Sequence, residues 1–338
     1  MATVVMVSSF EVKPTRRGDH FGALTLNLGE KGAFAQVEAK MWDLDARISR
    51  GDHPPSAGDV IEIEYQANEY QGRLQWIIKS FRVLDGAERE GRLAQFSPPE
   101  QIDSEFYRAR LEELIERTSA ERVSGLLVRQ IFDRSGFREA FYRSPAAFRH
   151  HQNYPGGLLE HTINVTSLAL AMAESYASDT GPGLTFNSET LPIDRELLTA
   201  AGLLHDIGKV ETYRLEPLPV TTDANSWEGH LAISYAVVRH EAVPLMETPP
   251  YESAGEELSK LFHCILSHHG TLEYGSPVTP ACVEAFLLSQ ADLADARLAD
   301  MAQGGIEALA RDPSKRWLPR SLHFPTGVFI GDWPKPSE

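Results

Sequence analysis

An apolar run that ends in two metal-ligand side chains constrains this chain more than any other feature. Ala201-Gly202-Leu203-Leu204 leads straight into His205-Asp206, followed by Ile207-Gly208-Lys209. Such a run is bound for the interior, and burying a polar group without a partner costs on the order of 2–7 kcal/mol. A fold that accepts this segment therefore has to supply a cation beside Asp206. Imidazole and carboxylate are the side chains that divalent transition metals take as ligands. Further candidates flank the pair: His161 before it, then His230, His268, His269 and Asp292 after it.

A histidine standing alone is more often surface or satisfied core than ligand, which is the reading for His20, His53, His240, His263 and His323. Local context separates the others. His161 falls one turn into a helix expected to start near Gly156-Gly157. His205-Asp206 closes a helix for which Asp194 is the N-cap, with Gly208 as the C-terminal breaker. His230 opens a helix after Trp227-Glu228-Gly229, His268-His269-Gly270 closes the next, and Asp292 lies inside a long one. Ligands at helix ends and on inward faces are how a bundle builds a metal site in its core.

Asp206 is the natural bridge, because its two oxygens can serve two cations. One ion is expected on His161, His205, Asp206 and Asp292, and a second on Asp206, His230 and His268. His269 is either a further ligand or a phosphate contact. Two ions about 3.5–4 Å apart acidify a water and clamp the attacking and leaving oxygens of an in-line displacement. Mixed histidine and carboxylate ligation suits Mn²⁺, Fe²⁺, Co²⁺ or Zn²⁺ better than Mg²⁺ or Ca²⁺. Lys209 is a candidate for stabilising the phosphate or leaving oxygen; capping helix carbonyls is its alternative role. A P-loop reading of Gly202–Lys209 fails on glycine spacing and on Val210, which stands where Ser or Thr is needed.

The N-terminal part reads as β structure. Thr3–Val7 is a short apolar strand, Phe21–Leu28 and Val60–Tyr65 alternate with period two, and Ala33–Trp42 and Leu74–Leu84 complete the set, with turns at Gly29–Gly32 and Glu69–Gly72 and a loop at Gly51–Gly58. Five short strands in residues 1–85 suggest an all-β oligonucleotide-binding (OB) barrel, with a small barrel lacking any ligand as the alternative. Residues 86–150 read as a polar linker (85–97) and a helical connecting segment. Residues 151–303 read as an all-α bundle, and 304–338 as an irregular aromatic tail packing back on the body. OB folds hold single strands by stacking and basic contacts. Arg16, Arg17 and Trp42 are the candidates here, with Phe21, Tyr70, Trp76, Lys40 and Arg73 also in the barrel segment and Arg108 and Arg149 beyond it.

The 338 residues carry a net charge of −16, which argues against a generic nucleic-acid coat protein. Most of that excess lies beyond His151, where bound cations would offset part of it. No apolar run is long enough to cross a bilayer, and the N-terminus lacks the basic region of a signal peptide. The two cysteines, Cys264 and Cys282, form no disulfide framework, so a cytoplasmic setting is expected.

The order His, His-Asp, His, His, Asp resembles the HD phosphohydrolase superfamily. A barrel followed by that domain is similar to the YhaM-type 3′-5′ exoribonucleases. The runs that carry the likeness are His151-Gln-Asn-Tyr-Pro-Gly-Gly-Leu-Leu-Glu-His161, Leu203–Lys209, Gly229-His230, Leu266–Gly270 and Ala291–Ala296. The resemblance spans roughly residues 1 to 303 and implies a manganese-type phosphodiesterase that trims single-stranded RNA, or DNA, from the 3′ end. Two other readings stand beside it: a small-nucleotide phosphohydrolase with a regulatory barrel, and a nucleic-acid-binding protein without catalysis. A symmetric homo-oligomer is compatible with either enzyme.

Overall fold

The computed structural model describes residues 2–15, 17–29, 36–70, 73–96, 102–148, 152–178, 181–216, 219–247, 249–321 and 323–331. The expected turns over 30–32 and 71–72, Arg16, Arg149, His150, His151, Trp333 and Pro334 lie outside them. The chain divides into two compact units, Met1–Gln101 with Leu215–Val220, and Ile102–Arg214 with Thr221–Glu338.

The first unit is a closed five-stranded barrel of β1 (Thr3–Pro14), β2 (His20–Asn27), β3 (Gln36–Met41), β4 (Val60–Tyr70) and β5 (Arg73–Val83), in the order β1-β2-β3-β5-β4. Antiparallel pairing of Thr3–Met6 with Val60–Ile63 closes it, and β3 meets β5 in parallel. Strand alternation works as the sequence predicts in β2, where Gly22, Leu24 and Leu26 turn inward. The apolar run of β1 is covered on both faces, with Val5, Met6 and Val7 all buried. Val5 and Val7 enter the barrel core, while Met6 packs outside with Val60, Leu84 and Phe96. Phe96 follows α2 (Gly86–Leu93), after the α1 turn (Leu44–Ser49) earlier in the chain. The segment expected as a linker is thus a helix whose far end covers the outer face of β1. Its composition is polar because only Leu93 and Phe96 are spent on that contact.

The second unit is helical: α3 (Ser104–Glu116), α4 (Val123–Phe132), α5 (Phe137–Arg143), α6 (Gly157–Ser175), α7 (Arg195–Leu204), α8 (Lys209–Thr212), α9 (Asp223–Trp227), α10 (His230–Leu245), α11 (Gly255–Ser267) and α12 (Val283–Arg311). One continuous core runs through it, with Leu127, Ile131, Leu158, Val165, Leu198, Leu203, Leu261 and Leu288 fully buried. Asp194 caps α7 by accepting the Leu197 N–H at 3.0 Å. Short antiparallel pairings at 177–192 join the helices, and Tyr213–Leu215 pairs with Pro219–Thr221 in a separate two-stranded sheet; both are too short to show periodicity. The tail is less irregular than its composition suggests. Helix α12 runs on to Arg311, Trp317–Leu318 pairs with Val328–Phe329, and Ile330 is buried. Among the described residues no helix is long and apolar enough to cross a membrane.

Candidate metal centre

Two close backbone approaches set the frame of the site. A Cβ at Gly157 would lie 1.9 Å from the Gln152 carbonyl oxygen, so only glycine fits the turn that starts α6. One turn later His161 is fully buried. A Cβ at Gly202 would meet Thr166 Oγ1 at 2.5 Å, so α7 packs tightly on α6 and the end of α7 comes to His161. Gly208 works differently from the expected helix breaker. Its φ of −65° and ψ of −17° are helical. What needs glycine there is the backbone of α10, whose His230 carbonyl oxygen would lie 2.4 Å from an added Cβ.

Asp206 sits at the centre. Its Oδ2 lies 3.2 Å from His161 Nε2 and 3.3 Å from His205 Nε2, and Asp292 Oδ1 lies 3.1 Å from His161 Nε2. Its Oδ1 faces the other way, 3.4 Å from His230 Nε2 and 3.5 Å from His268 Nε2. His269 joins this second side, with Nε2 3.1 Å from His230 Nε2. The ligand atoms fall into two groups, His161, His205, Asp206 and Asp292, and His230, His268 and His269, each within 4.8 Å of one another. The structure therefore brings together all seven residues singled out from the sequence.

The imidazoles are aimed. His205 Nδ1–H donates to the Gly202 carbonyl, His268 Nδ1–H to that of Ile265 and His269 Nδ1–H to that of Tyr274, each at 2.7 Å. A carbonyl can only accept, so the proton is on Nδ1 and the Nε2 lone pair faces the cluster. His205 Nε2, His268 Nε2 and both Asp206 oxygens are buried without a hydrogen bond of acceptable geometry. Buried polar atoms are almost always satisfied, so the unpartnered His205 Nε2 on one side of Asp206 and His268 Nε2 on the other fit cations held there.

Lys209 Nζ lies 2.5 Å from Asp206 Oδ2 and is itself buried. Burial pushes the ammonium's pKa down, but the Asp206 charge outweighs it and raises the value. Burial pushes the Asp206 carboxyl up, yet Lys209 and the histidines hold it well below the usual carboxylate range. His269 is pushed down to about 4 by burial and by His268, and His230 is likewise driven well down by burial. Both are neutral near pH 7, as a ligand has to be.

Asp295 and Gln152 escaped sequence reasoning. Asp295 Oδ2 accepts from His161 Nδ1 at 2.7 Å and from Gln152 Nε2 at 2.9 Å. The available signal was the three-residue spacing from Asp292, which puts both carboxylates on one face of α12.

The nucleic-acid candidates divide. Trp42 is part exposed, its ring 4.8 Å from Phe21, with Lys40 Nζ 5.4 Å from the Trp42 centroid. Arg17 is exposed. Trp76 is buried and stacks on Tyr65 at 3.6 Å, so it belongs to the barrel core. Arg108 lies over the Tyr142 ring.

Residues 158–297 match the HD domain family model. The chain is 30% identical over 289 residues to the 3′-5′ exoribonuclease YhaM of Shouchella clausii, spanning 81% of this chain and 77% of that relative. It is 29% identical over 282 residues to the protein of that name from Listeria monocytogenes, covering 81% and 79% respectively. To the one from Oceanobacillus iheyensis it is 27% identical over 288 residues, covering 85% and 82%.

Proposed function

This chain belongs to the family of the YhaM 3′-5′ exoribonucleases, and we propose that it is a metal-dependent hydrolase that removes nucleotides from the 3′ end of single-stranded RNA. The observation that carries the reading is Asp206, a buried carboxylate whose Oδ2 lies against the Nε2 atoms of His161 and His205 and whose Oδ1 lies against those of His230 and His268. Asp206 would bridge two ions, one also held by His161, His205 and Asp292, the other by His230, His268 and His269. When bound, such ions supply Lewis acidity and an acidified water for attack on a phosphodiester. Mn²⁺ suits this ligand set, as do Fe²⁺, Co²⁺ and Zn²⁺.

The protein's own groups do the rest. Gly202, Ile265 and Tyr274 carbonyls lock three imidazoles with their lone pairs inward. That lock also favours His269 as ligand over phosphate contact, since its only N–H is spent on Tyr274. Lys209 keeps a full positive charge in the interior, where it offsets phosphate charge more strongly than it would in water. His161, His205, Asp206 and His268 are all buried, which keeps bulk water from these side chains. Trp42, Phe21 and Lys40 would give the barrel an aromatic and basic patch of the kind that holds single strands, and Arg17 is a further exposed cation on the barrel.

The test is a time course on 5′-labelled single-stranded RNA with Mn²⁺, run beside the His205→Ala/Asp206→Ala double variant, with bound metal measured by mass spectrometry. A descending ladder that the variant abolishes is the expected result. Intact RNA after incubation with metal-loaded wild-type protein would refute the reading.

A further inference from the structure

One of the locked imidazoles is held differently from the others. His205, His268 and His269 each give Nδ1–H to a backbone carbonyl. His161 gives it to a side chain, the Asp295 carboxylate, at 2.7 Å. Both residues are buried, and the contact joins positions 134 residues apart in the chain. The same Asp295 oxygen accepts from Gln152 Nε2 at 2.9 Å. Gln152 is buried with a φ of 48°, and its carbonyl accepts the Ala146 N–H. Gly157 is the residue that lets that carbonyl approach the start of α6.

A carboxylate is a stronger acceptor than a carbonyl. Bonded to Nδ1–H it fixes tautomer and ring orientation, and it makes Nε2 a better electron donor. Carboxylate partners of this kind typically change metal affinity about 10–100-fold. The local geometry explains why a side chain is needed here. His205 and His268 sit at the C-terminal caps of α7 and α11, where the carbonyl three residues back is free to accept. His161 lies within α6, where carbonyls are engaged in the helix, so its Nδ1–H has to find an acceptor outside.

We propose that Asp295, itself oriented by Gln152, is a positioning residue that presents His161 Nε2 to the metal shared with His205, Asp206 and Asp292. It acts through His161 and has no place among the ligands. The inference rests on the metal-dependent reading above.

The experiment is isothermal titration of Mn²⁺ into metal-free full-length protein, for wild type, Asp295→Asn and Asp295→Ala, with thermal melts of each in chelator. Asparagine keeps an acceptor oxygen and loses the charge; alanine loses both. Asp295→Ala is expected to bind at least one Mn²⁺ about 10–100-fold more weakly, and Asp295→Asn to recover part of that loss. A merely structural role would lower the melting temperature in chelator and leave the affinity of the folded protein unchanged, which would overturn the proposal. Equal affinities in all three proteins would also overturn it. A wild-type protein that takes up no divalent metal would remove the metal reading and this inference together.

Discussion

Replacing Gly208 by alanine tests whether the site depends on the close approach between α8 and α10. The backbone at Gly208 is helical, so alanine fits its dihedrals. A glycine-to-alanine change at a compatible position ordinarily stabilises by about 0.4–1 kcal/mol. Here the new Cβ would stand 2.4 Å from the His230 carbonyl oxygen and 2.7 Å from the Ser234 N. Carbon contacts settle near about 3.5 Å, so the first turn of α10 has to retreat by about 1 Å. That retreat stretches the Gly208 N–H to Ser234 Oγ bond, now 2.9 Å, and carries His230 away from Asp206. Overpacking of this kind costs about 1–3 kcal/mol, and the strained hydrogen bond adds about 1 kcal/mol. Against the gain from alanine, the net loss is about 1–3.6 kcal/mol. For a unit of this size that is a fall of roughly 2–14 °C in melting temperature. A displacement of about 1 Å in a catalytic group can cost about 10²-fold in rate, so the ladder assay should slow more than the melt suggests. Differential scanning calorimetry and RNA cleavage on Gly208→Ala measure both. Gly255→Ala, at a position with open space around its Cβ, is the control and should melt at or slightly above wild type. A Gly208→Ala protein that behaves like this control would refute the close-approach argument.

Three further outcomes are expected. Chelator should lower the melting temperature and Mn²⁺ should restore it, because a ligand at about 100 times its Kd adds about 2.7 kcal/mol to the folded state; a melt indifferent to both would contradict a metal centre at Asp206. Asp194→Asn keeps an N-cap for α7 but loses the paired charge with Arg122, whose guanidinium contacts Asp194 at 2.6 and 2.7 Å. Burial pushes the Asp194 carboxyl up, but Arg122 and the Leu197 N–H hold it below the usual range, so its contribution is present above about pH 4 and disappears as pH falls through the lowered value. The variant should therefore melt below wild type at pH 7, with the gap closing on acidification; a gap independent of pH would be the wrong result. Trp42→Ala should weaken binding of a single-stranded RNA oligomer by about 5–150-fold, the range of one lost stacking contact, and unchanged affinity in a fluorescence anisotropy titration would remove the barrel patch from the proposal.

The residues of the His and Asp cluster were legible because each stands at a place where sequence alone marks a helix end or an inward face. His205-Asp206 closes an apolar run, His230 follows a glycine, and His268-His269 precedes one. The barrel was legible where one face meets solvent, as in β2. Other features depended on partners far along the chain. Leu93 and Phe96 read as part of a polar linker because nothing local says that Met6, Val60 and Leu84 await them. Trp76 looked available until its stacking on Tyr65 filled the core. Asp295 carries an ordinary helical spacing, and only the fold shows that His161, 134 residues earlier, is what it faces. Lys209 had two local roles open to it, and the sequence did not show that its ammonium would lie buried against Asp206.

The helix framework itself favours a cation at this point. Helices α7 and α11 both end at the cluster, and their caps are His205 and His268. A helix C-terminus carries roughly half a negative charge on its unsatisfied carbonyls. In both helices the histidine Nδ1–H satisfies the carbonyl three residues back, Gly202 or Ile265. That bond turns a local capping contact into a ligand orientation, so one short-range motif is used twice. Helix α10 meets the site by its other end, at His230, where the positive end of the dipole disfavours a protonated imidazole and keeps a lone pair available. Two negative helix ends and the carboxylates of Asp206 and Asp292, the first of them buried, meet the Lys209 ammonium at the centre. One ammonium cannot reach both faces of Asp206, since it lies against Oδ2 while His230 and His268 surround Oδ1. The Oδ1 side of Asp206 therefore faces the imidazoles of His230 and His268 with no ammonium against it, whereas Oδ2 has Lys209.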